Sequence, residues 1–288
     1  MTLPTPSALS LAFSPCPNDT FVFNAWVHGL IADAPAVDVT FADIDVTNNA
    51  AERGGFDVVK VSYAALPWLL DKYALLPSGG ALGRGCGPLV LTTGKTDLRG
   101  ATIAVPSERS TAYLLFRLWA DAVGIGGSLR IVVMPFPQIM PAVRDGLVDA
   151  GLVIHEARFT YGSYGLASVV DLGEWWESDT GLPIPLGAIL AKRTLDVVRL
   201  AEVVRASVEH AFADPSASKA FVAEHAQEMD ADVQARHIAL YVNDFSLDLG
   251  AEGYAAIAGL LGRASASALV PRVDPMALRP AGRANART

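Results

Sequence analysis

"LSLAFSPCPNDTFVFNAWV" spans Leu9 to Val27. An apolar run ends in a turn, and the turn leads directly into helix-forming sequence. "LSLAF" reads as a strand, and "SPCPNDT" combines turn chemistry with helix-start residues. Phe23, Trp26, Val27 and Leu30 then fall at i, i+3, i+4 and i+7, the spacing of one helix face. The same grammar continues along the chain. "VDVTF" reads as a second strand, "TNNAAERGG" as a short capped helix closed by glycines, and "FDVVKVS" as a third strand. Further on, "ATIAV", "AYLLFRLWADAV", "RIVVM", "PQIMPAVRDG" and "DAGLVI" alternate as strand, helix, strand, helix and strand. This alternation predicts an α/β fold with mostly parallel sheets.

The pattern repeats at an offset of 92 residues. Leu11-Ala12-Phe13 falls on Ile103-Ala104-Val105, and Asn18-Asp19 falls on Ser110-Thr111. Asp57-Val58-Val59 falls on Asp149-Ala150-Gly151, and Gly54 falls on Gly146. Two blocks sharing one offset without gaps predict two similar lobes. "GPLVLTTG" (Gly87–Gly94) and "IPLGAILAKR" (Ile184–Arg193) read as two strands crossing between them. The expected division is residues 1–92 plus 191–270 for the first lobe and 93–190 for the second. The C-terminal helices are expected to pack back on the first lobe. The tail, 271–288, is rich in Pro, Ala, Gly and Arg without periodicity and is expected to be disordered.

At 288 residues and 51% hydrophobic, the chain has enough apolar sequence for two cores. A net charge of −8 argues against nucleic acid as a partner but leaves room for a small anionic ligand held by local donors. No stretch is long and apolar enough to insert into a membrane, and "MTLPTPSALSLAF" does not read as a signal peptide. The expected location is cytoplasmic. The two cysteines, Cys16 and Cys86, have no metal-type spacing and imply no disulfide framework. The pattern leaves oligomeric state open.

Open parallel sheets bind ligands beyond the carboxyl ends of their strands. That rule selects the loops after Phe13, Lys60, Val105 and Ile154. After Phe13, Asn18 or Asp19 is placed to cap a helix or to frame an anion at its N–H groups. After Val105, Ser110 and Thr111 open the next helix and make a candidate carboxylate cradle. Lys60 and Ser62 share one side of their strand, with Val59 and Val61 on the other. A lysine in a buried strand needs a partner, either an acid of the protein or an anionic group of the ligand. "SGGALGRGCGP" (Ser78–Pro88) holds five glycines in eleven residues but matches no phosphate-binding fingerprint. It reads as a mobile or closely packed loop beside the cleft. His155 aligns with Tyr63 by the offset, and both are expected to face the cleft. The other histidines, His28, His210, His225 and His237, fall in helical patterns. His155 is therefore the candidate general base, with binding or structural roles as the alternatives. Glu156 would point to the opposite face, so it is not expected to orient His155.

Several longer blocks carry a resemblance. "FSPCPNDTF", "KVSYAA", "SGGALGRGCGPLV", "STAY", "GLVIHEARFTYGSYGL", "DLGEWWESDTGLPIPLGAI" and "YVNDFSLDLG" together resemble the 1,4-dihydroxy-6-naphthoate synthases of the futalosine route of menaquinone biosynthesis. The resemblance covers Leu9 to Gly250. It implies a two-lobed fold like the type II periplasmic binding proteins, used by a cytoplasmic lyase. The implied reaction converts cyclic dehypoxanthinyl futalosine to 1,4-dihydroxy-6-naphthoate, without metal or redox cofactor. The implied base is the histidine of the I-H-E run, His155. The implied substrate contacts are Lys60-Val61-Ser62 and Ser110-Thr111. Two rivals share the architecture: the chorismate dehydratase of the same pathway, and a non-catalytic solute-binding protein.

Overall fold

The computed structural model describes residues 8–155, 157–227 and 230–279. The first lobe opens with β1 (Leu9–Phe13), α1 (Pro17–Val27), β2 (Val37–Phe41), α2 (Ile44–Glu52) and β3 (Val58–Ser62). Two short strands follow, β4 (Tyr73–Leu75) and β5 (Ala81–Gly83). The second lobe comprises β6 (Leu89–Thr92), β7 (Thr102–Val105), α3 (Thr111–Ala122), β8 (Arg130–Val133), α4 (Phe136–Arg144) and β9 (Ala150–Val153). It ends with α5 (Ala157–Thr160), β10 (Ala167–Asp171) and α6 (Leu172–Thr180). The chain returns to the first sheet as β11 (Ile184–Lys192). Five helices follow: α7 (Val197–Ala213), α8 (Lys219–His225), α9 (Ala231–Tyr241), α10 (Asp244–Leu247) and α11 (Gly250–Ala266).

The two sheets have corresponding strand orders, β2-β1-β3-β11-β4 and β8-β7-β9-β6-β10. Their registers keep the offset of 92. Leu11 pairs with Val58 and Ile103 with Ala150; Ser10 pairs with Asp38 and Thr102 with Arg130. α2 and α4 occupy corresponding positions as well, and Gly54 and Gly146, just beyond them, both take positive φ. One polar contact is duplicated outright. Asp57 Oδ2 accepts from the Ser10 N–H at 3.0 Å, and Asp149 Oδ2 accepts from the Thr102 N–H at 2.8 Å.

Only part of each sheet is parallel. β2, β1 and β3 run together, as do β8, β7 and β9; β11 and β6 run against them, so the pairings of β11 with β3, β4 and β5 and of β6 with β9 and β10 are antiparallel. The expectation of mostly parallel sheets is corrected accordingly. A strand arriving from the other lobe starts at the cleft and runs away from it, opposite to strands whose carboxyl ends face the cleft. β6 and β11 are those two crossing segments. By pairing, β6 sits wholly in the second sheet and β11 wholly in the first. We therefore propose lobe limits just before Leu89 and Ile184, a few residues ahead of 92 and 190.

Each sheet buries both faces. Leu11 and Phe13 pack toward α1, α7 and α8, while Ala12, Val59 and Val61 pack with residues of α11 on the other face. In the second lobe Ile103 and Val105 face α3 and α6, and Ala104 faces α4. α1 is buried from Pro17 to Trp26 because the sheet lies on one side and α7, α8 and α9 on the others. It has no polar face, and Leu30, read as the fourth member of an apolar stripe, lies beyond its end, exposed. Part of the tail packs on the first lobe, through Val273 and Leu278. Pro275–Leu278 form a 3-10 turn, and Leu278 is buried against the core of the first lobe. Residues 280–288 lie outside the described residues.

Candidate active site between the lobes

The loops selected by the sheet rule converge on a cavity of about 630 Å³. Ser14 and Asn18 reach it from the loop and first turn after β1, Lys60 and Ser62 from β3, and Ser110 and Thr111 from the start of α3. His155 lies just past β9, Leu186 and Gly187 come from β11, and His237 and Tyr241 come from α9. Two of the expected residues do not line it. Val61 points into the core on the far side of the sheet, as strand alternation requires. Asp19 is fully buried behind the cavity wall. Tyr63 also departs from expectation: the chain turns into a 3-10 helix at that residue and carries its ring into the core.

Lys60 and Asp19 form a buried ion pair. Asp19 also accepts the Ser14 hydroxyl at 2.7 Å and the Asn18 amide at 2.7 Å. Lys60 thus has an acid of the protein as its partner, and the pair brings little net charge to the cavity. Its stem passes over Gly187, where an added Cβ would meet Lys60 Cε at 2.7 Å. The capping expectation for Asn18 and Asp19 is corrected: the N-cap of α1 is Cys16, with Pro17 at the first helical position. Proline there needs no N–H partner, and Asp19, the acid of the first turn, is left for other contacts.

Ser62 is held by Asn48 of α2. Its N–H donates to Asn48 Oδ1 at 2.8 Å, and its Oγ accepts from Asn48 Nδ2 at 3.1 Å. Accepting at Oγ leaves the Ser62 proton to be donated elsewhere. Ser110 and Thr111 use their hydroxyls within the protein. Ser110 Oγ caps the Tyr113 N–H at 3.1 Å and donates to Ser107 O at 3.0 Å. Thr111 Oγ1 donates to Leu186 O at 2.9 Å and accepts from the Ala64 N–H at 3.2 Å, tying the two lobes together. Of the first N–H groups of α3, which a helix cannot satisfy itself, that of Tyr113 is taken by Ser110 Oγ, and those of Thr111 and Ala112, both in the wall, are the candidate donors to an anion.

His155 takes a left-handed backbone conformation with φ of 55°, uncommon for a residue with a side chain. Its Nδ1 lies 3.5 Å from Cys16 Sγ of the other lobe. Phe136 meets the ring edge-on at 5.6 Å between centroids, and His237 lies nearly parallel to it at 6.2 Å. His155 also borders a second, adjoining cavity of about 920 Å³, lined in addition by Asp43, Asp45 and Gln227. Glu156 lies outside the described residues. Cys86, the other thiol in the wall, has its pKa pushed up to about 12, chiefly by burial, which keeps it protonated and inert.

Asn48, His237, Tyr241 and the Cys16 contact were not selected from sequence. Val233, His237 and Tyr241 recur every four residues and are all buried in α9. A histidine on the buried stripe of a helix was the available signal.

The family model for menaquinone biosynthesis matches residues 9–266. A 1,4-dihydroxy-6-naphthoate synthase of Streptomyces coelicolor is 66% identical over 94% of this chain and 97% of its own length. One from Thermus thermophilus is 47% identical over 91% of this chain and 96% of its own. A structural-genomics protein from Archaeoglobus fulgidus superposes with a TM-score of 0.85 at 33% identity, covering 91% of this chain and 98% of that one. The periplasmic aliphatic sulphonate binding protein of Escherichia coli superposes at 0.68 with 14% identity, over 98% of this chain and 96% of that one, a likeness of fold alone. The architecture is the two-lobed periplasmic-binding-protein-like α/β fold. By the span of the family match and the identity of these relatives, the chain belongs to the menaquinone biosynthesis family that includes the 1,4-dihydroxy-6-naphthoate synthases.

Proposed function

We propose that the protein is a cytoplasmic carbon–carbon lyase that converts cyclic dehypoxanthinyl futalosine to 1,4-dihydroxy-6-naphthoate, with His155 as general base. The observation that carries this reading is the placement of His155. It stands in a partly open pocket between the lobes, beside hydrogen-bond donors suited to a carboxylate. A solute-binding protein of this architecture needs the donors but has no use for a base held in a strained backbone conformation.

The substrate carries a carboxylate and a sugar-derived polyol. The Ser62 hydroxyl and the N–H groups at the start of α3 hold the carboxylate. His155 removes a proton from the polyol side, the carbon–carbon bond to the sugar remnant breaks, and the ring becomes aromatic. Aromatisation supplies driving force, so the protein mainly orients the substrate and moves protons. The lobes touch at Thr111 and Leu186 and at Cys16 and His155, contacts that border the pocket and would tighten around bound substrate.

The test is incubation of the purified protein with cyclic dehypoxanthinyl futalosine, followed by mass spectrometry. Formation of 1,4-dihydroxy-6-naphthoate is expected. Absence of product, together with dehydration of chorismate, would transfer the protein to the rival enzyme of the pathway.

A further inference from the structure

Beside His155 the cavity wall holds a second imidazole, whose hydrogen bonding is unusually well determined. His237 is almost fully buried. Its Nε2 lies 2.9 Å from Asn18 Oδ1. The Asn18 amide has its NH₂ committed to Asp19 Oδ1 at 2.7 Å, and Asp19 is in turn paired with Lys60. The carboxylate accepts, so Asn18 must turn its nitrogen there and its oxygen toward His237. An amide oxygen only accepts. His237 is therefore protonated on Nε2 and donates.

The other nitrogen follows from this. Burial first, then the neighbouring charges of His155 and Lys60, hold the His237 pKa well below the usual histidine value, so the ring is neutral. A neutral ring protonated on Nε2 carries a bare lone pair on Nδ1. That Nδ1 is buried and has no hydrogen-bond partner among the described residues. Leaving such a group unsatisfied is costly, and natural cores seldom tolerate it without a reason. The residue lines the cavity, with the ring of Tyr241 at 4.6 Å on one side and that of His155 at 6.2 Å on another.

We propose that His237 is a second substrate-contacting histidine of this cavity, its Nδ1 accepting a hydrogen bond from a hydroxyl of the bound substrate. The inference rests on the proposed reaction for the identity of that hydroxyl-bearing substrate, but the tautomer stands without it. Asn18, Asp19 and Lys60 form the chain of contacts that holds the acceptor in place. The two histidines divide the work: His155 takes a proton, and His237 orients the hydroxyl without being protonated itself.

His237→Gln tests this, because glutamine keeps a donor near the Nε2 position for Asn18 and loses the Nδ1 acceptor. With cyclic dehypoxanthinyl futalosine, kcat/KM is expected to fall roughly 10- to 100-fold, mainly through KM, in a variant whose thermal unfolding stays near wild type. Wild-type kcat/KM in this variant overturns the proposal, since the Asn18 bond would then be all that His237 supplies. Independently of any substrate, ¹⁵N NMR of histidine-labelled wild-type protein should show His237 protonated on Nε2 and bare on Nδ1. The reverse tautomer, or a doubly protonated ring at pH 7, overturns it. If the wild type fails to turn over the cyclic substrate, the reaction assignment falls, and the NMR result still decides the acceptor.

Discussion

Asp19 and Lys60 show what a single residue can mean in two readings. From sequence, Lys60 needed a partner, and an acid of the protein and an anion of the ligand were equally open. The structure places Asp19 against it with both side chains nearly fully buried. Breaking such a pair leaves a buried charge alone, which costs more than the intact pair contributes. Asp19→Asn is expected to lower stability by about 3–5 kcal/mol, measured by urea unfolding. Adding Lys60→Met should restore much of the loss. His155 was legible because a fold rule points to strand ends. His237 was not, because its partner Asn18 is 219 positions away and helical periodicity says only that it is buried. Ser110 and Thr111 line the pocket, but sequence could not show that their hydroxyls are already used by Tyr113, Ser107, Ala64 and Leu186.

At the scale of elements, long periodic segments were readable and short ones were not. β4 and β5 are three-residue strands, too short to carry an alternating pattern, and β5 lies inside the glycine-rich run. Four of its five glycines, Gly79, Gly80, Gly83 and Gly87, serve close packing, while Gly85 turns the backbone through a positive φ. A Cβ on Gly87 would collide with the backbone of Gly173, and one on Gly80 would meet Tyr63 Oη and Gly187 O at 2.9 Å. The "DLGEWWESDTGLPIPLGAI" block, specific as a family signature, is largely structural. Asp171 caps α6 through the N–H groups of Gly173 and Glu174, and Gly181 ends the helix in the left-handed region. Trp176 is fully buried and donates its indole N–H to Pro183 O at 3.1 Å. Trp176→Ala is expected to cost about 3–5 kcal/mol, again by denaturant unfolding, because it opens a cavity in the core of the second lobe. "YVNDFSLDLG" has a similar role. Asn243 caps α10 and binds Leu82 O at 3.0 Å, and Ser246 donates to Gly80 O at 3.0 Å, fastening the C-terminal helices to the glycine-rich run.

The whole molecule is a duplicated plan, and the offset of 92 was visible because it preserves register as well as residue type. Asp57 and Asp149 are its clearest pair. Burial alone would raise the Asp57 pKa, but the Ser10 N–H, Lys192 and the Ser10 hydroxyl together hold it below the usual carboxylate value. Lys95, then the Thr102 N–H, do the same for Asp149. A carboxyl whose folded pKa is depressed stabilises the fold above its unfolded pKa, near pH 4, and this contribution is lost as pH falls through the folded value. Wild-type unfolding midpoints are therefore expected to drop as pH falls below about 4, toward the depressed folded value, and Asp57→Asn should flatten that drop while lowering stability at pH 7. An equally steep drop in the variant would remove Asp57 from the account. Sequence could not show how the lobes meet. Arg109 of the second lobe pairs with Glu52 and lies over the Trp68 ring at 5.6 Å, and these residues are far apart in the chain.

His155, the proposed base, lines a partly open pocket between the lobes. The most direct test of that role is single-turnover conversion of cyclic dehypoxanthinyl futalosine by wild type and His155→Ala, with substrate affinity measured separately. The variant is expected to bind substrate with affinity close to wild type and to form 1,4-dihydroxy-6-naphthoate at least ~100-fold more slowly. Conversion by His155→Ala at a rate near wild type would contradict it.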